Sequence, residues 1–160
     1  MYAFSADPAL PKSELYRELL SAADALTAGE SDAVANMANL AALIRELVPD
    51  LNWAGFYRLL GDELVLGPFS GKPACIRIPL GRGVCGTAAG ERTSQRVADV
   101  HAFPGHIACD ADSRSELVVP VLRESEVIAV IDLDSPLPGR FDAEDQAAIE
   151  ALAALIASRI

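Results

Sequence analysis

Positive charge is scarce in this sequence: 13 Lys and Arg stand against 23 Asp and Glu, a formal net charge of −10 at pH 7. Nucleic-acid affinity rests on grouped Lys and Arg that release counterions from phosphates, so a nucleic-acid partner is disfavoured and none is expected. Long apolar runs are also missing. None reaches the roughly 18 residues of a membrane span, and the first residues lack the basic start and apolar block of a secretory signal. No membrane partner is expected, and the expected location is cytoplasmic. Cysteine is sparse and odd in number, 3 residues, which fits transient disulfides in a reducing compartment better than a structural framework. A close C-x₂₋₄-C pair is absent as well. Among Cys75, Cys85, Cys109, His101 and His106 only His106-x-x-Cys109 is close, so no metal is expected. Nothing in the chain reads as a repeat, a low-complexity tract or a linker. With 160 residues, 51% of them hydrophobic, one domain over residues 1–160 is expected.

What is present is a concentration of chemistry in Phe103-Pro104-Gly105-His106-Ile107-Ala108-Cys109-Asp110. Pro104 removes a backbone donor and Gly105 admits dihedrals other residues avoid, so this stretch reads as a surface loop. A cysteine taken at random is a small buried hydrophobe; the polar flanks of Cys109 argue against burial. A protonated His106 would favour its thiolate and Asp110 would oppose it, which leaves the pKa open.

Around that loop the chain alternates between two periods. Ser13 is expected to cap a helix with Leu15, Leu19, Ala22 and Leu26 on one face, stopped by Gly29. Ser31 or Asp32 opens a second helix striped by Val34, Met37, Ala41, Ile44 and Leu47. Residues 51–59 then alternate as a strand, Gly61-Asp62 turns, a partner strand runs through 63–69, and a short third strand covers 76–78. Trp53, Gly55 and Tyr57 share a face, and two aromatics about 13 Å apart predict a slot floored by glycine, for a small apolar group or for core packing.

Gly81-Arg82-Gly83-Val84-Cys85-Gly86 matches G-x-G-x-x-G, but what precedes it looks like hairpins and not a parallel βαβ unit. We read it as a turn before a short helix over 87–91, with Cys85 near the helix N-terminus where the dipole favours a thiolate. A strand over 95–97 leads into the opening loop. Strands over 116–122 and 126–134 follow, joined by Arg123-Glu124-Ser125. A loop of those three residues sets Leu122 opposite Glu126 and Glu116 opposite Asp132, with Asp134 one diagonal step away, so three carboxylates share a face. A loop one residue shorter or longer would turn Glu116 to the other face. Asp142 caps a last helix, with Glu144 and Asp145 in its first turn and Ile149, Leu152 and Ile156 as its stripe. Helices at both ends of a mostly antiparallel sheet make an α+β layer fold.

Three thiols, one in a polar loop, a carboxylate cluster and an aromatic slot together suggest a small polar substrate handled by cysteine chemistry. Crowded carboxylates raise at least one pKa, which can keep one acid protonated as a donor. Left ionised, the same pair would hold an ammonium. A solvated acidic hairpin end fits the composition equally well, and a Mg²⁺ or Ca²⁺ site lacks further spaced ligands.

These pieces also carry a resemblance. Trp53-Ala54-Gly55-Phe56-Tyr57, Gly67-Pro68-Phe69 through Gly71-Lys72-Pro73-Ala74-Cys75, Gly83-Val84-Cys85-Gly86, the loop through Asp110, Ser115-Glu116 and Ile131-Asp132-Leu133-Asp134-Ser135 stand as in one family. The run from Leu51 to Asp134 resembles the free methionine-(R)-sulfoxide reductases, a catalytic branch of the GAF-domain fold. The resemblance implies a single GAF-like domain with its N- and C-terminal helices on one face of the sheet, and a pocket of loops and a short helix on the other. It also implies reduction of free L-methionine-(R)-sulfoxide by cysteine chemistry, with no bound cofactor and thioredoxin as external reductant.

By that resemblance Cys109 attacks the substrate, Cys75 is the principal resolving thiol and Cys85 an auxiliary one. Trp53 and Tyr57 surround the substrate methyl, Asp134 and Glu116 polarise the sulfoxide oxygen, and Asp132 holds the ammonium, with Asp99 a weaker candidate. Backbone N–H groups of Ile107, Ala108 and Cys109 would take the carboxylate. The end helices would form a homodimer seam. The alternative is a non-catalytic GAF-type sensor of a small ligand or oxidant, usually tethered to an output domain that is not read in this chain.

Overall fold

The computed structural model describes residues 10–105 and 110–160. Helix α1 (Lys12–Thr27) starts at Pro11, whose carbonyl accepts from the Glu14 and Leu15 N–H groups. Ser13 lies inside the first turn and caps nothing, because the preset φ of Pro11 fixes the helix start two residues before it. Asp32 opens α2 (Ala33–Leu47) by accepting the Ala35 N–H at 2.8 Å. Of the expected stripe, Met37, Ala41, Ile44 and Leu47 are buried, while Val34 in the first turn stays exposed.

Strands β1 (Trp53–Leu60), β2 (Glu63–Ser70), β3 (Arg77–Pro79), β4 (Gln95–Val97), β5 (Ser115–Arg123) and β6 (Glu126–Ser135) form a sheet in the order β3-β2-β1-β6-β5-β4, antiparallel throughout. Period-two alternation splits the strand residues between two cores. Ala54, Phe56, Leu117, Val119, Ile131 and Leu133 point to the face covered by α2 and α4 (Ala143–Ile156), with α1 packed on those two helices. Trp53, Tyr57, Val118 and Val130 point to the opposite face, under α3 (Gly83–Glu91). The α+β architecture with terminal helices on one face is as expected. No helix among the described residues is long and apolar enough to cross a membrane.

The β5–β6 register differs from the expectation in a way that matters for the site. The loop is Glu124-Ser125 alone, both at positive φ (50° and 70°), so Arg123 pairs with Glu126 and Leu122 with Val127. This shorter loop by itself would turn Glu116 to the helix face. A bulge between Val121 and Leu122 skips Ile128 and restores parity: Val121 faces Ala129, and Glu116 faces Asp134 rather than Asp132. The three carboxylates therefore do share a face, by a different pairing.

The helix layer is tied down at Asp145, fully buried at the start of α4. Its carboxylate accepts from Tyr16 Oη at 2.5 Å, Lys12 Nζ at 2.9 Å, Arg140 Nη1 at 3.2 Å and the Asp142 backbone N–H at 2.7 Å, closing a capping box with Asp142. Asp145→Ala is expected to lower unfolding free energy by about 3–5 kcal/mol, since it removes the buried acceptor shared by Tyr16, Lys12 and Arg140 and breaks the cap. A urea titration followed by circular dichroism checks this.

Candidate active site

Sheet register assembles the site's polar wall. Trp53 pairs with Asp134, Asp134 with Glu116 and Glu116 with Val97, so one row crosses four strands; the next row holds Gly55, Asp132, Val118 and Gln95. Cys85 lies over these rows from the first turn of α3, its Sγ 3.9 Å from Glu116 Oε1. Trp53, Tyr57, Cys85, Glu116, Asp132 and Asp134 line a common pocket. Glu116, Asp132 and Cys85 are each at most 6% exposed, and Asp132 Oδ1 is buried without a hydrogen-bond partner.

Burial dominates the electrostatics. It pushes the Glu116 and Asp134 carboxyls well above the ordinary range, with the neighbouring Asp132 charge adding to both, and pushes Asp132 up to about 7. The Cys85 thiol is likewise driven up, by burial first and then by the Asp132 and Glu116 charges. This corrects the thiolate expectation. A helix dipole contributes about 0.3–1 kcal/mol, too little to offset removal from water above two acids.

The slot over Gly55 is filled. A Cβ there would come within 2.4 Å of the Phe69 Cβ and 2.7 Å of the Trp53 ring. The indole leans along β1 over the glycine, stacking on Phe69 at 5.3 Å and on Tyr57 at 6.0 Å between ring centroids. The 13 Å estimate assumed side chains standing upright. Gly55→Ala is expected to part β1 from β2 at Phe69, whose Cβ and backbone Cα cannot swing away, and to displace the indole, costing roughly 1–3 kcal/mol and shifting the emission of Trp53, the chain's single tryptophan. Urea unfolding and fluorescence read both.

The polar ends of the stack tether the adjoining segment. Trp53 Nε1 donates to the Lys72 carbonyl at 3.1 Å, and Tyr57 Oη to the Cys75 carbonyl at 3.0 Å. Cys75 is disulfide-bonded, whereas Cys85 is a free thiol. Lys72 Nζ also reaches Asp110 at 3.1 Å and Asp112 at 2.5 Å, and Asp110 accepts from Asn52 Nδ2 at 3.1 Å.

Residues 12–160 match the GAF domain family. The free methionine-R-sulfoxide reductase of Escherichia coli is 52% identical over 143 residues, 89% of this chain and 87% of that protein. The chain belongs to the free methionine-(R)-sulfoxide reductase family. The X-ray structure of the Neisseria meningitidis family member, in complex with its substrate, superposes with a TM-score of 0.94 at 44% identity, over 99% of this chain and 95% of that one. A GAF domain from a Coxiella burnetii phosphoenolpyruvate-protein phosphotransferase shares the fold alone, with a TM-score of 0.78 at 17% identity, 96% of this chain and 94% of that one.

Of the residues that the family resemblance singled out, the structure brings Trp53, Tyr57, Cys85, Glu116, Asp132 and Asp134 together, with Cys75 on the segment the aromatics hold. Cys109, Ile107 and Ala108 lie outside the described residues. Asp99 is not brought to the pocket: it is exposed, and its carboxylate accepts the His101 N–H at 3.0 Å as the cap of a one-turn 3₁₀ helix (Val100–Ala102). The sequence reading missed Lys72, Arg82 and Ser113, which line the same pocket. Lys72 stood inside a family motif, but nothing in its spacing pointed to Asp110 and Asp112.

Proposed function

We propose that this protein reduces free L-methionine-(R)-sulfoxide to L-methionine, and that thioredoxin regenerates it. The observation that carries the reading is the buried convergence of Glu116, Asp132 and Asp134 beside Trp53 and Tyr57. A wall of buried acids, some holding protons, suits a zwitterion whose sulfoxide oxygen needs a hydrogen-bond donor and whose ammonium needs an acceptor.

In this scheme the Cys109 thiolate attacks the sulfoxide sulfur while Glu116 or Asp134 protonates the oxygen. Methionine leaves reduced by two electrons, and Cys109 becomes a sulfenic acid. The Cys75 thiol condenses with that sulfenic acid, releasing water and forming a disulfide. A thioredoxin dithiol opens the disulfide by exchange. The bonded state of Cys75 and the free thiol of Cys85 support Cys75 as the principal resolving residue; Cys85 stays auxiliary. The aromatic stack meets the methyl, the Asp132 carboxylate meets the ammonium through its unpartnered oxygen, and backbone N–H groups of Ile107 and Ala108 take the carboxylate. The cycle uses cysteine sulfur and no bound cofactor. It suits a reducing cytoplasm, and α1 with α4 supplies a homodimer seam, which a monomer mass in light scattering would refute.

The test is NADPH consumption with thioredoxin and its reductase. The free R epimer is expected to turn over, while the S epimer and N-acetyl-methionine sulfoxide, which lacks the ammonium, are not. No turnover of the free R epimer by folded, reduced protein would overturn the reading.

A further inference from the structure

The pocket wall offers a second use for residues that the proposed reduction employs on the sulfoxide oxygen and the ammonium. One ligand atom from each of Cys85, Glu116 and Asp132 lies within 4.8 Å of the others, with Cys85 Sγ 3.9 Å from Glu116 Oε1. They come from three different elements, α3, β5 and β6, so packing fixes their relative positions. All are buried, and Asp132, which lines the pocket, keeps Oδ1 without a hydrogen-bond partner. A buried acceptor left unpaired is destabilising, and a bound cation relieves that.

We infer that Cys85, Glu116 and Asp132 form a binding site for a thiophilic divalent cation, Zn²⁺ foremost, which occupies the place of the substrate ammonium and so competes with substrate. Tetrahedral zinc with Zn–S near 2.3 Å and Zn–O near 2.0–2.2 Å places its ligand atoms about 3.3–3.6 Å apart. The trio has only to contract modestly, leaving a fourth position open toward the pocket. One sulfur and two carboxylates select Zn²⁺ or Co²⁺ over Mg²⁺, which takes oxygen ligands alone and keeps its waters. The competition rests on the proposed substrate; the metal binding does not.

The disulfide form isolates the site, because Cys75 is bonded there and Cys85 is a free thiol. A thiol titration of the unfolded protein, giving one thiol per chain, verifies that state. Co²⁺ added to it is expected to produce a thiolate-to-cobalt charge-transfer band saturating at one metal per chain, displaced by Zn²⁺ and unaffected by excess Mg²⁺. Cys85→Ala removes the band, and Asp132→Asn weakens binding by more than the roughly 10- to 100-fold that loss of an outer-shell partner costs. Free methionine sulfoxide raises the apparent Co²⁺ dissociation constant in proportion to its concentration. Absence of the band in the native chain, its persistence in Cys85→Ala, or equal affinity in Asp132→Asn overturns the site. Binding indifferent to methionine sulfoxide overturns the competition alone. None of these readouts depends on turnover, so their failure is distinct from failure of the reductase reading.

Discussion

Cys109→Ser is expected to reduce turnover of free L-methionine-(R)-sulfoxide by more than about 10³-fold, the scale on which loss of a nucleophile acts. Cys75→Ser is expected to do something different. In the proposed scheme the first chemical step needs one thiol, and the second thiol only clears the sulfenic acid. A Cys75→Ser chain mixed with excess substrate should therefore release a burst of one methionine per chain, and then nearly stop with thioredoxin present. Cys85 is a poor substitute, because it is buried above Glu116 and Asp132 with its thiol pushed toward the protonated form. Quenched-flow quantitation of methionine, alongside NADPH consumption, separates burst from steady state. If Cys85→Ser, and not Cys75→Ser, uncouples the two, the resolving roles are reversed.

How far the site was legible in the sequence depended on whether a residue's position followed from period or from a loop. The face shared by Trp53 and Tyr57, the Asp142 cap and the α+β layering follow from period and from capping chemistry, and the structure has them all. The β5–β6 pairing did not follow. Glu124-Ser125 carries no Asn-Gly signature of the tight turn it forms, and a bulge at Val121/Leu122 leaves no mark in an apolar run. Those two features shift the register in the same direction, so the acids met on the expected face with Glu116 opposite the other aspartate. The lean of Trp53 over Gly55 and the Lys72 contacts are tertiary facts with no local cause. Asp99 stands outside the pocket lining because a carboxylate just before a turn serves its own backbone.

Neutralising the wall acids one at a time is expected to move activity and stability in opposite directions. Glu116→Gln removes a proton donor from the sulfoxide oxygen and should lower kcat by about 10²–10⁴-fold, the usual range for a general acid. Asp132→Asn should act mainly through KM, because it removes the ammonium's acceptor. Stability responds the other way. Asp132 has a folded pKa of about 7 against an ordinary value of 3.8, so the folded chain binds its proton more tightly than the unfolded chain does. Its contribution is fully present below the unfolded value and is lost as pH rises through the folded one, a window from about pH 4 to pH 7. Without substrate, the native protein should therefore lose stability across that window. Asp132→Asn lacks that titration, and should melt above the native protein at pH 7.5 and close to it at pH 4. Thermal melts at the two pH values, run without ligand, give the comparison. A variant less stable than the native chain at both would mean that the Asp132 carboxylate holds the wall together and does not strain it.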